Sequence, residues 1–138
     1  MGQVPAGLAG NPHPLLSLER TKLIETSAAI VARRFEQRGN HRPLLVAVDG
    51  IDGAGKSTFA DDLERALTDY GQTVIRSTID WFHRPRADRR RRGDRSAIGF
   101  YEDSHDLATL RTRLLDPLLA GAGHRYQVAA YDEPADHA

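Results

Sequence analysis

The sequence predicts an α/β fold built on a parallel sheet, and three stretches of the chain support this class. The first is the continuous apolar run 44–48, which has the length of a buried strand. The second is the helical pattern that follows residue 56, and the third is the run 73–79, which is rich in β-branched residues. A strand, a helix and a strand in this order form a right-handed crossover, so the two strands are expected to be parallel.

The helices around the first strand are predicted from apolar residues at helical spacing. Gly39-Asn40 is placed to end the helix before the strand, and Gly71 is placed to end the helix after it. A third helix is predicted to begin near Ser104 and to kink or stop at Pro117, and the run 126–131 is expected to form a short strand. The first stripe comprises Leu16, Leu23, Ile24, Ala28, Val31 and Phe35, and the second comprises Phe59, Leu63, Ala66, Leu67 and Tyr70.

Composition is that of an ordinary globular domain, with 138 residues of which 40% are hydrophobic and 28% are charged. Nineteen basic and nineteen acidic side chains cancel, so the net charge indicates no polyanionic partner. The absence of cysteine excludes disulfides, thiolate metal sites and cysteine nucleophiles. The sequence has neither an apolar stretch of the ~20 residues that cross a membrane nor a signal-peptide pattern, so a cytoplasmic location is expected.

The glycine-rich turn after the first predicted strand matches a phosphate-binding loop, GIDGAGKS, with two glycines, a lysine and a hydroxyl at the required spacing. Its glycines let backbone N–H groups approach phosphate oxygens, and the following helix points its positive dipole end at the same anion. Lys56 is expected to reach the terminal phosphates, and the Ser57 hydroxyl is expected to hold Mg²⁺. The predicted nucleotide-binding residues are Gly50, Ile51, Asp52, Gly53, Ala54, Gly55, Lys56, Ser57 and Thr58.

Asp80 follows the second predicted strand, at the edge of the sheet where α/β proteins bind ligands. A carboxylate facing bound phosphates there can accept a proton from a substrate hydroxyl, or it can hold Mg²⁺ directly or through water. An aspartate that only caps a helix or a turn is the alternative interpretation. Neither Asp49 nor Asp52 is predicted to be catalytic.

Seven arginines lie between Arg84 and Arg95, within the polar stretch 80–102 that is predicted to be loop-like. A solvated loop, contacts to a small anionic substrate and nucleic-acid binding are all open, although the balanced charge argues against a dedicated nucleic-acid module. His83 and His105 lie in this region without the spacing of a zinc motif, so no zinc site is predicted. The pair at 131–132 (YD) closes the last predicted strand, where it can hold a ribose or base or simply cover the core.

Four segments together resemble the uridine kinase group of P-loop kinases, which is related to phosphoribulokinase and bacterial pantothenate kinase. The segments are VDGIDGAGKST (48–58), DWFHRPR (80–86), GFYEDSHD (99–106) and YD (131–132). The resemblance implies a P-loop NTPase-type, three-layer α/β/α fold with a parallel sheet. We expect a flexible lead-in over 1–14 and a single kinase-like domain over 15–138, incomplete at its C-terminus because the family continues into a further strand and an arginine-bearing lid.

The resemblance also implies an activity, the ATP- and Mg²⁺-dependent transfer of a phosphoryl group to a hydroxyl of a small molecule. A nucleoside such as uridine is the favoured acceptor, pantothenate or a sugar phosphate is the alternative, and a truncated, non-catalytic nucleotide-binding protein is the alternative class. The implied catalytic residues are Asp80 and Lys56, and the implied metal ligands are Ser57 and Asp80. The acceptor is expected to lie near Phe82, His83, Arg84, Arg86, Tyr101 and Tyr131.

Overall fold

The computed structural model describes residues 14–39, 42–121 and 123–131, with side chains from residue 17 onward. The predicted lead-in before Pro14, Asn40 of the predicted helix end, and Asp132 with the tail after it lie outside the described residues. The helices are α1 (Pro14–Gln37), α2 (Lys56–Asp69), α3 (Arg86–Arg89), α4 (Ala97–Asp103), α5 (Leu107–Leu110) and α6 (Asp116–Ala120), with a single-turn 3₁₀ helix at Ile79–Phe82 and a π-helical turn at Arg111–Leu115.

Packing of α1 along α2 forms the apolar core of the described structure. Ala28 and Ala32 of α1 meet Leu63 and Leu67 of α2, and all four are between 0% and 6% exposed. The two alanines allow the helix backbones to approach closely, while the two leucines fill the space between them. Both helices therefore form where the apolar periodicity predicts them, and α1 covers one flank of the helix that carries the glycine-rich turn.

Two residues of the predicted apolar stripes lie outside this core. Leu23 is 56% exposed and Tyr70 is 53% exposed, whereas Ala32 and Ala60 are buried instead. Among the described elements α1 packs against α2 alone, so it buries a narrow strip rather than the wide face that a full sheet would cover. The side chain of Leu16, which belongs to the predicted stripe, lies outside the description.

The end of α2 is set by Gly71, as predicted. Its φ of 75° lies in the left-handed region, which glycine adopts without a steric penalty. Its N–H donates to the carbonyl of Thr68 at 2.8 Å, and the N–H of Gln72 donates to that of Leu67 at 3.0 Å. These two bonds satisfy helix-end carbonyls in the manner of a Schellman cap.

The predicted parallel sheet is not confirmed. The stretches 44–48 and 73–78 exchange no backbone hydrogen bonds, and the bridge at His83 and His105 is the one β-pairing in the part of the chain that the structure describes. Leu45, Val46 and Ile75 are 49%, 47% and 40% exposed, and the two stretches line an open cleft of about 830 Å³.

The third predicted strand, 126–131, also forms no ladder in the described structure. The backbone N–H groups of Ala130 and Tyr131 both donate to the carbonyl of Trp81, at 2.9 and 3.0 Å. The Ser77 hydroxyl also donates to the carbonyl of Val128, at 2.7 Å, so the segment 126–131 lies beside the end of 73–78 without forming a backbone ladder with it. A strand without a neighbour has no partner for its backbone groups, and an apolar sequence alone does not supply one.

The helical segment from 107 to 120 departs from its predicted start. Asp106, rather than Ser104, is its N-cap: the Asp106 carboxylate accepts the N–H of Thr109 at 3.0 Å and its hydroxyl at 2.8 Å. These bonds lower the pKa of the Asp106 carboxyl, since they stabilise the charged form against the opposing effect of burial. Because its cap is fixed, the start of this helix also fixes the position of His105 next to it.

Of the two predicted effects of Pro117, a kink or a stop, the structure does not show an immediate stop: the helix continues three residues further, to Ala120. Proline has no N–H for the carbonyl four residues earlier, which belongs to Arg113. The N–H of Gln127 donates to that carbonyl instead, at 2.9 Å. The π-helical turn just before Pro117 accommodates the change in hydrogen-bond pattern. None of the described helices combines the length and apolarity needed to span a membrane.

Candidate functional site

The turn 50–55 leads directly into α2, in the arrangement that the phosphate-binding pattern requires. Gly55 is the N-cap and has a φ of 82° and a ψ of 23°, a left-handed conformation that other residues adopt at a cost. The N–H of Ala54 donates to the carbonyl of Ile51 at 3.2 Å, and the N–H of Gly50 donates to the Asp49 carboxylate at 2.7 Å. A Cβ built at Gly55 would meet no atom within 4 Å, so the mouth of the turn is open to a ligand.

The side chain of Lys56 folds back over this turn. Its ammonium donates to the carbonyls of Gly50 at 2.7 Å and Ile51 at 2.9 Å, and it lies 3.6 Å from the carboxylate of Asp52. The Asp52 side chain is 99% exposed, so this ion pair is weak in water. The ammonium is therefore held at the turn by carbonyl groups that an incoming phosphate oxygen can replace as partner.

Ser57 and Thr58 lie in the first turn of α2, where both are exposed. A hydroxyl oxygen at a helix start next to an open anion-binding turn suits Mg²⁺, which prefers oxygen ligands and keeps several waters. The residues present thus fit a phosphate group with its Mg²⁺. All nine predicted nucleotide-binding residues, 50–58, lie in the turn or at this helix start.

A second constellation surrounds Asp80, in the 3₁₀ turn rather than at the end of a strand. The Thr78 hydroxyl caps this turn by accepting the N–H of Asp80 at 3.4 Å. The Nε2 atoms of His83 and His105 lie 3.8 and 3.6 Å from the Oδ1 atom of Asp80. The two imidazole rings stack with centroids 4.6 Å apart and planes 23° from parallel.

Backbone hydrogen bonds assemble this constellation from segments that are distant in sequence. On either side of the antiparallel bridge, the N–H of Arg84 donates to the carbonyl of Ser104 at 2.9 Å, and the N–H of Asp106 donates to that of Phe82 at 2.7 Å. The Phe82 side chain is 1% exposed, so it packs beneath the bridge and does not reach the surface. Phe82 was predicted to lie near the acceptor; in the structure its buried side chain supports the bridge from the interior and is not available for contact with a ligand.

Tyr131 completes the constellation. Its ring meets that of His83 edge-on, with centroids 5.8 Å apart, and its hydroxyl accepts a hydrogen bond from the Arg89 guanidinium at 3.0 Å. Arg89 is a site residue that sequence reasoning missed. The short helix α3 gives it this reach, and a run of seven arginines offers no local signal that singles out one of them. We refer to Asp80, His83, His105 and Tyr131 as the Asp80 cluster.

The other predicted acceptor residues are not members of this cluster. Arg84 donates through Nε to the carbonyl of His105 at 3.3 Å, and Arg86 is exposed at the start of α3. Tyr101 is 87% exposed on α4. Within the described ranges, α2 does not pack directly against the 3₁₀ turn that carries Asp80.

The arginine run remains largely exposed, and three of its arginines form ion pairs with nearby acids. Arg91 donates to the Oδ1 atom of Asp103, and the Nε atom of Arg92 lies 2.9 Å from the Oδ2 atom as an ion pair. Asp103 is 3% exposed, and the hydrogen bond from Arg91, together with nearby arginine charges, lowers the pKa of its carboxyl although burial opposes this. Arg90 pairs with Asp94 at 3.4 Å. These arginines neutralise acids of their own segment.

Comparison with known proteins finds similarity to a kinase. The chain is 30% identical over 123 residues to the adenylyl-sulfate kinase of Enterobacter sp. (strain 638), an alignment that covers 89% of this chain and 50% of the relative. The chain thus spans about half the length of the curated relative that it matches. No family model and no solved structure matches it. The similarity supports a relationship to P-loop kinases in general, and it does not single out the uridine kinase group.

Proposed function

We propose that this chain acts in ATP-dependent phosphoryl transfer to a hydroxyl group of a small molecule. The observation that carries the proposal is the open glycine turn at the start of α2 with the Lys56 ammonium held over it. The backbone N–H groups of the turn and the helix dipole favour an anion at this position. The similarity to a curated kinase supports the same reaction class.

In this proposal each side chain has a limited task. Lys56 exchanges its carbonyl partners for oxygens of the β- and γ-phosphates, and the Ser57 hydroxyl holds Mg²⁺. Bound Mg²⁺ neutralises the charge that develops on the phosphates. The Asp80 carboxylate takes the proton of the acceptor hydroxyl, directly or through water, while the hydroxyl oxygen bonds to the γ-phosphorus and the bond from that phosphorus to the β–γ bridging oxygen breaks, releasing ADP.

For the acceptor, we propose a nucleoside-like molecule that carries an anionic group. The relative is named for adenylyl sulfate, and Arg84 and Arg89 place positive charge beside the aromatic rings of the Asp80 cluster. Aromatic faces suit a base or ribose, and guanidinium groups suit a sulfate or phosphate. Uridine, pantothenate and a sugar phosphate remain the competing acceptors from the sequence analysis.

The experiment measures ADP release from ATP and Mg²⁺ with each of four acceptors: adenylyl sulfate, uridine, pantothenate and a sugar phosphate. We expect the anionic nucleotide to give the highest rate. Asp80→Asn is expected to lower that rate by about 10²–10⁴-fold, since the amide accepts no proton. Asp69→Asn, at the exposed end of α2, is the control and should leave the rate unchanged. Release that is independent of every acceptor would contradict the proposal.

A second candidate is a nucleotide-binding protein without catalysis. The observation that favours it is that, in the described structure, α2 does not pack directly against the 3₁₀ turn of Asp80. Such a protein binds ATP through the phosphate loop and releases no ADP with any acceptor. Calorimetric ATP binding that is equal in wild type and in Asp80→Asn, combined with no turnover, would select this candidate.

A further inference from the structure

We propose that Asp80, His83 and His105 form a binding site for a divalent transition-metal ion of the Zn²⁺ class. One ligand atom from each of the three residues lies within 4.8 Å of the other two. This site is distinct from the Mg²⁺ position at Ser57, and its existence does not depend on the proposed kinase activity. It also revises the expectation from spacing alone that no zinc site is present.

The distances within the cluster are close to those of a coordinated metal. The Asp80 carboxylate oxygen lies 3.6 Å from the Nε2 atom of His105 and 3.8 Å from that of His83. A tetrahedral zinc ion with ligands at about 2.0–2.1 Å places neighbouring ligand atoms about 3.4 Å apart. These two distances are therefore within a few tenths of an ångström of coordination distance. The two imidazole rings are stacked 23° from parallel, so at least one ring must turn before both Nε2 lone pairs point at one ion.

The chemistry of the donor set selects the metal. Two imidazole nitrogens and one carboxylate oxygen suit Zn²⁺, Co²⁺ and similar ions, whereas Mg²⁺ prefers oxygen ligands alone. Three protein ligands leave a fourth position for water or a substrate atom, as in catalytic rather than structural zinc sites. The Asp80 side chain is 68% exposed, which gives an ion and its water a path to the site.

His105 supplies an independent sign of a missing partner. Its Nε2 atom is buried and has no hydrogen-bond partner among the described residues. A buried polar atom left unpaired is destabilising, so such an atom usually has a ligand, an ion or a water as its partner. This is the atom that lies 3.6 Å from Asp80, on the side where the metal is proposed.

The backbone holds both histidines in place before any metal arrives. His83 and His105 face each other as the bridged pair, and directly opposed residues of antiparallel segments carry their side chains on the same face. The buried ring of Phe82 anchors one segment, and the Asp106 cap anchors the other. Tyr131 supports the His83 ring from its edge. The backbone therefore fixes the positions of both histidines, and binding requires only a rotation of the stacked rings.

Occupation of this site would have a functional consequence, which alone depends on the proposed function. A carboxylate that donates an electron pair to Zn²⁺ is not available to accept a proton from an acceptor hydroxyl. Zinc-class ions would therefore inhibit phosphoryl transfer at the Asp80 step while leaving ATP binding at the phosphate loop intact.

The test uses the full chain, treated with a chelator and then titrated with Co²⁺ alone, without nucleotide. We expect one equivalent of Co²⁺ to bind with the visible absorption bands of a four-coordinate nitrogen and oxygen site. Zn²⁺ should abolish these bands in competition, and Mg²⁺ should not. If the wild-type chain shows no stoichiometric band, the proposal fails regardless of any variant.

Variants locate the site. His105→Gln and His83→Gln should each weaken Co²⁺ binding by at least about 10–100-fold, the range already seen when only outer-shell partners are removed. The matched control His124→Gln changes an exposed histidine outside the cluster and should bind as wild type. Equal binding in all four proteins, or equal loss in the control, would overturn the proposal. Circular dichroism checks folding, and Asp80→Asn replaces either histidine variant that does not fold.

The metal test and the activity test fail separately. Co²⁺ absorption without any ADP release would leave the metal site standing and remove the proposed activity. Turnover without a Co²⁺ band would leave the proposed activity standing and remove the metal site.

Discussion

The phosphate loop and the Asp80 cluster are built in opposite ways. The loop consists of consecutive residues, and its contacts span at most six positions, as between Lys56 and Gly50. The cluster unites side chains from three segments, with His83 and His105 opposed across a bridge and Tyr131 tied to Trp81 through its backbone. The loop presents backbone groups and one ammonium, whereas the cluster presents side chains of mixed charge.

This contrast determines how each region can fail. A contiguous turn is lost when its own residues change, and the rest of the molecule has little influence on it. An assembled cluster is lost when any of its distant supports changes, even a residue that no ligand touches. The following predictions test that difference, from the largest expected effect to the smallest.

The largest effect is expected from Phe82→Ala, which removes the buried support of the Asp80 cluster. Truncating a fully buried phenylalanine lowers the free energy of unfolding by about 3–5 kcal/mol. Urea denaturation measures this loss. Phe100→Ala is the matched control because Phe100 is 67% exposed, and it should change stability by less than about 0.5 kcal/mol. Similar losses in both variants would show that Phe82 is not the anchor.

Lys56→Ala should act on the phosphate loop alone. Losing charged hydrogen bonds worth about 1.5–3 kcal/mol weakens ATP binding by roughly 10- to 100-fold. Calorimetric titration with ATP and Mg²⁺ measures the change. Lys22→Ala removes an exposed lysine of α1 and should bind ATP as wild type does. If Lys56→Ala also abolished Co²⁺ binding, the two regions would be coupled and the contrast above would be wrong.

Gly55→Ala should lower both stability and ATP affinity. Placing a Cβ in the left-handed conformation costs about 1–2 kcal/mol, and relief of that strain would distort the turn. Gly71→Ala imposes the same strain, at a φ of 75°, but beyond the other end of α2. It should therefore lose similar stability and retain ATP affinity. An affinity loss shared by both variants would mean that the effect arises from α2 as a whole.

The smallest effect is a pH dependence in the packing of α1 against α2. The hydrogen bond from Arg20 lowers the pKa of the Asp62 carboxyl, burial opposes this, and the charges of Arg20 and Arg65 add to the lowering. Since the folded pKa lies below the unfolded value of about 3.9, Asp62 stabilises the fold above that pH and ceases to do so as the pH falls through its folded pKa.

The stability difference between wild type and Asp62→Asn should thus be constant near neutral pH and disappear in acid. Urea denaturation across a pH series measures it, with Asp69→Asn on the same helix as the control. A difference that grows as the pH falls would contradict this assignment of the ion pair.

Local patterns in the sequence predicted the phosphate loop, α1 and α2, because their signals lie within a few turns of chain. The Asp80 cluster was predicted only in part. Asp80, His83 and Tyr131 were predicted as site residues. The pairing of His83 with His105, however, depends on a bridge between residues 22 positions apart. The cap formed by Asp106 with Thr109 is a local signal that could have placed His105 at a helix start.

The missed elements show the same limit. Helix α4 has only seven residues, too few for an apolar periodicity to indicate it, although Ser96 caps it by accepting the N–H of Gly99 at 3.0 Å. The sheet was predicted from apolar character, which says that a segment prefers burial but does not name its neighbour. Tyr131 bonds to the 3₁₀ turn, and that choice of partner is invisible in the composition of 126–131.

Pro117 shows how the lack of one backbone N–H can favour a contact with a segment further along the chain. The carbonyls inside an α-helix normally accept N–H groups of the same helix, so they are not available to a neighbouring segment. Pro117 has no N–H to offer the carbonyls of the preceding turn, and among those carbonyls that of Arg113 accepts the N–H of Gln127. The contact at Arg113 thus holds the chain at Gln127, four residues before Tyr131. In this way the helix around Pro117 helps to position Tyr131 in the Asp80 cluster.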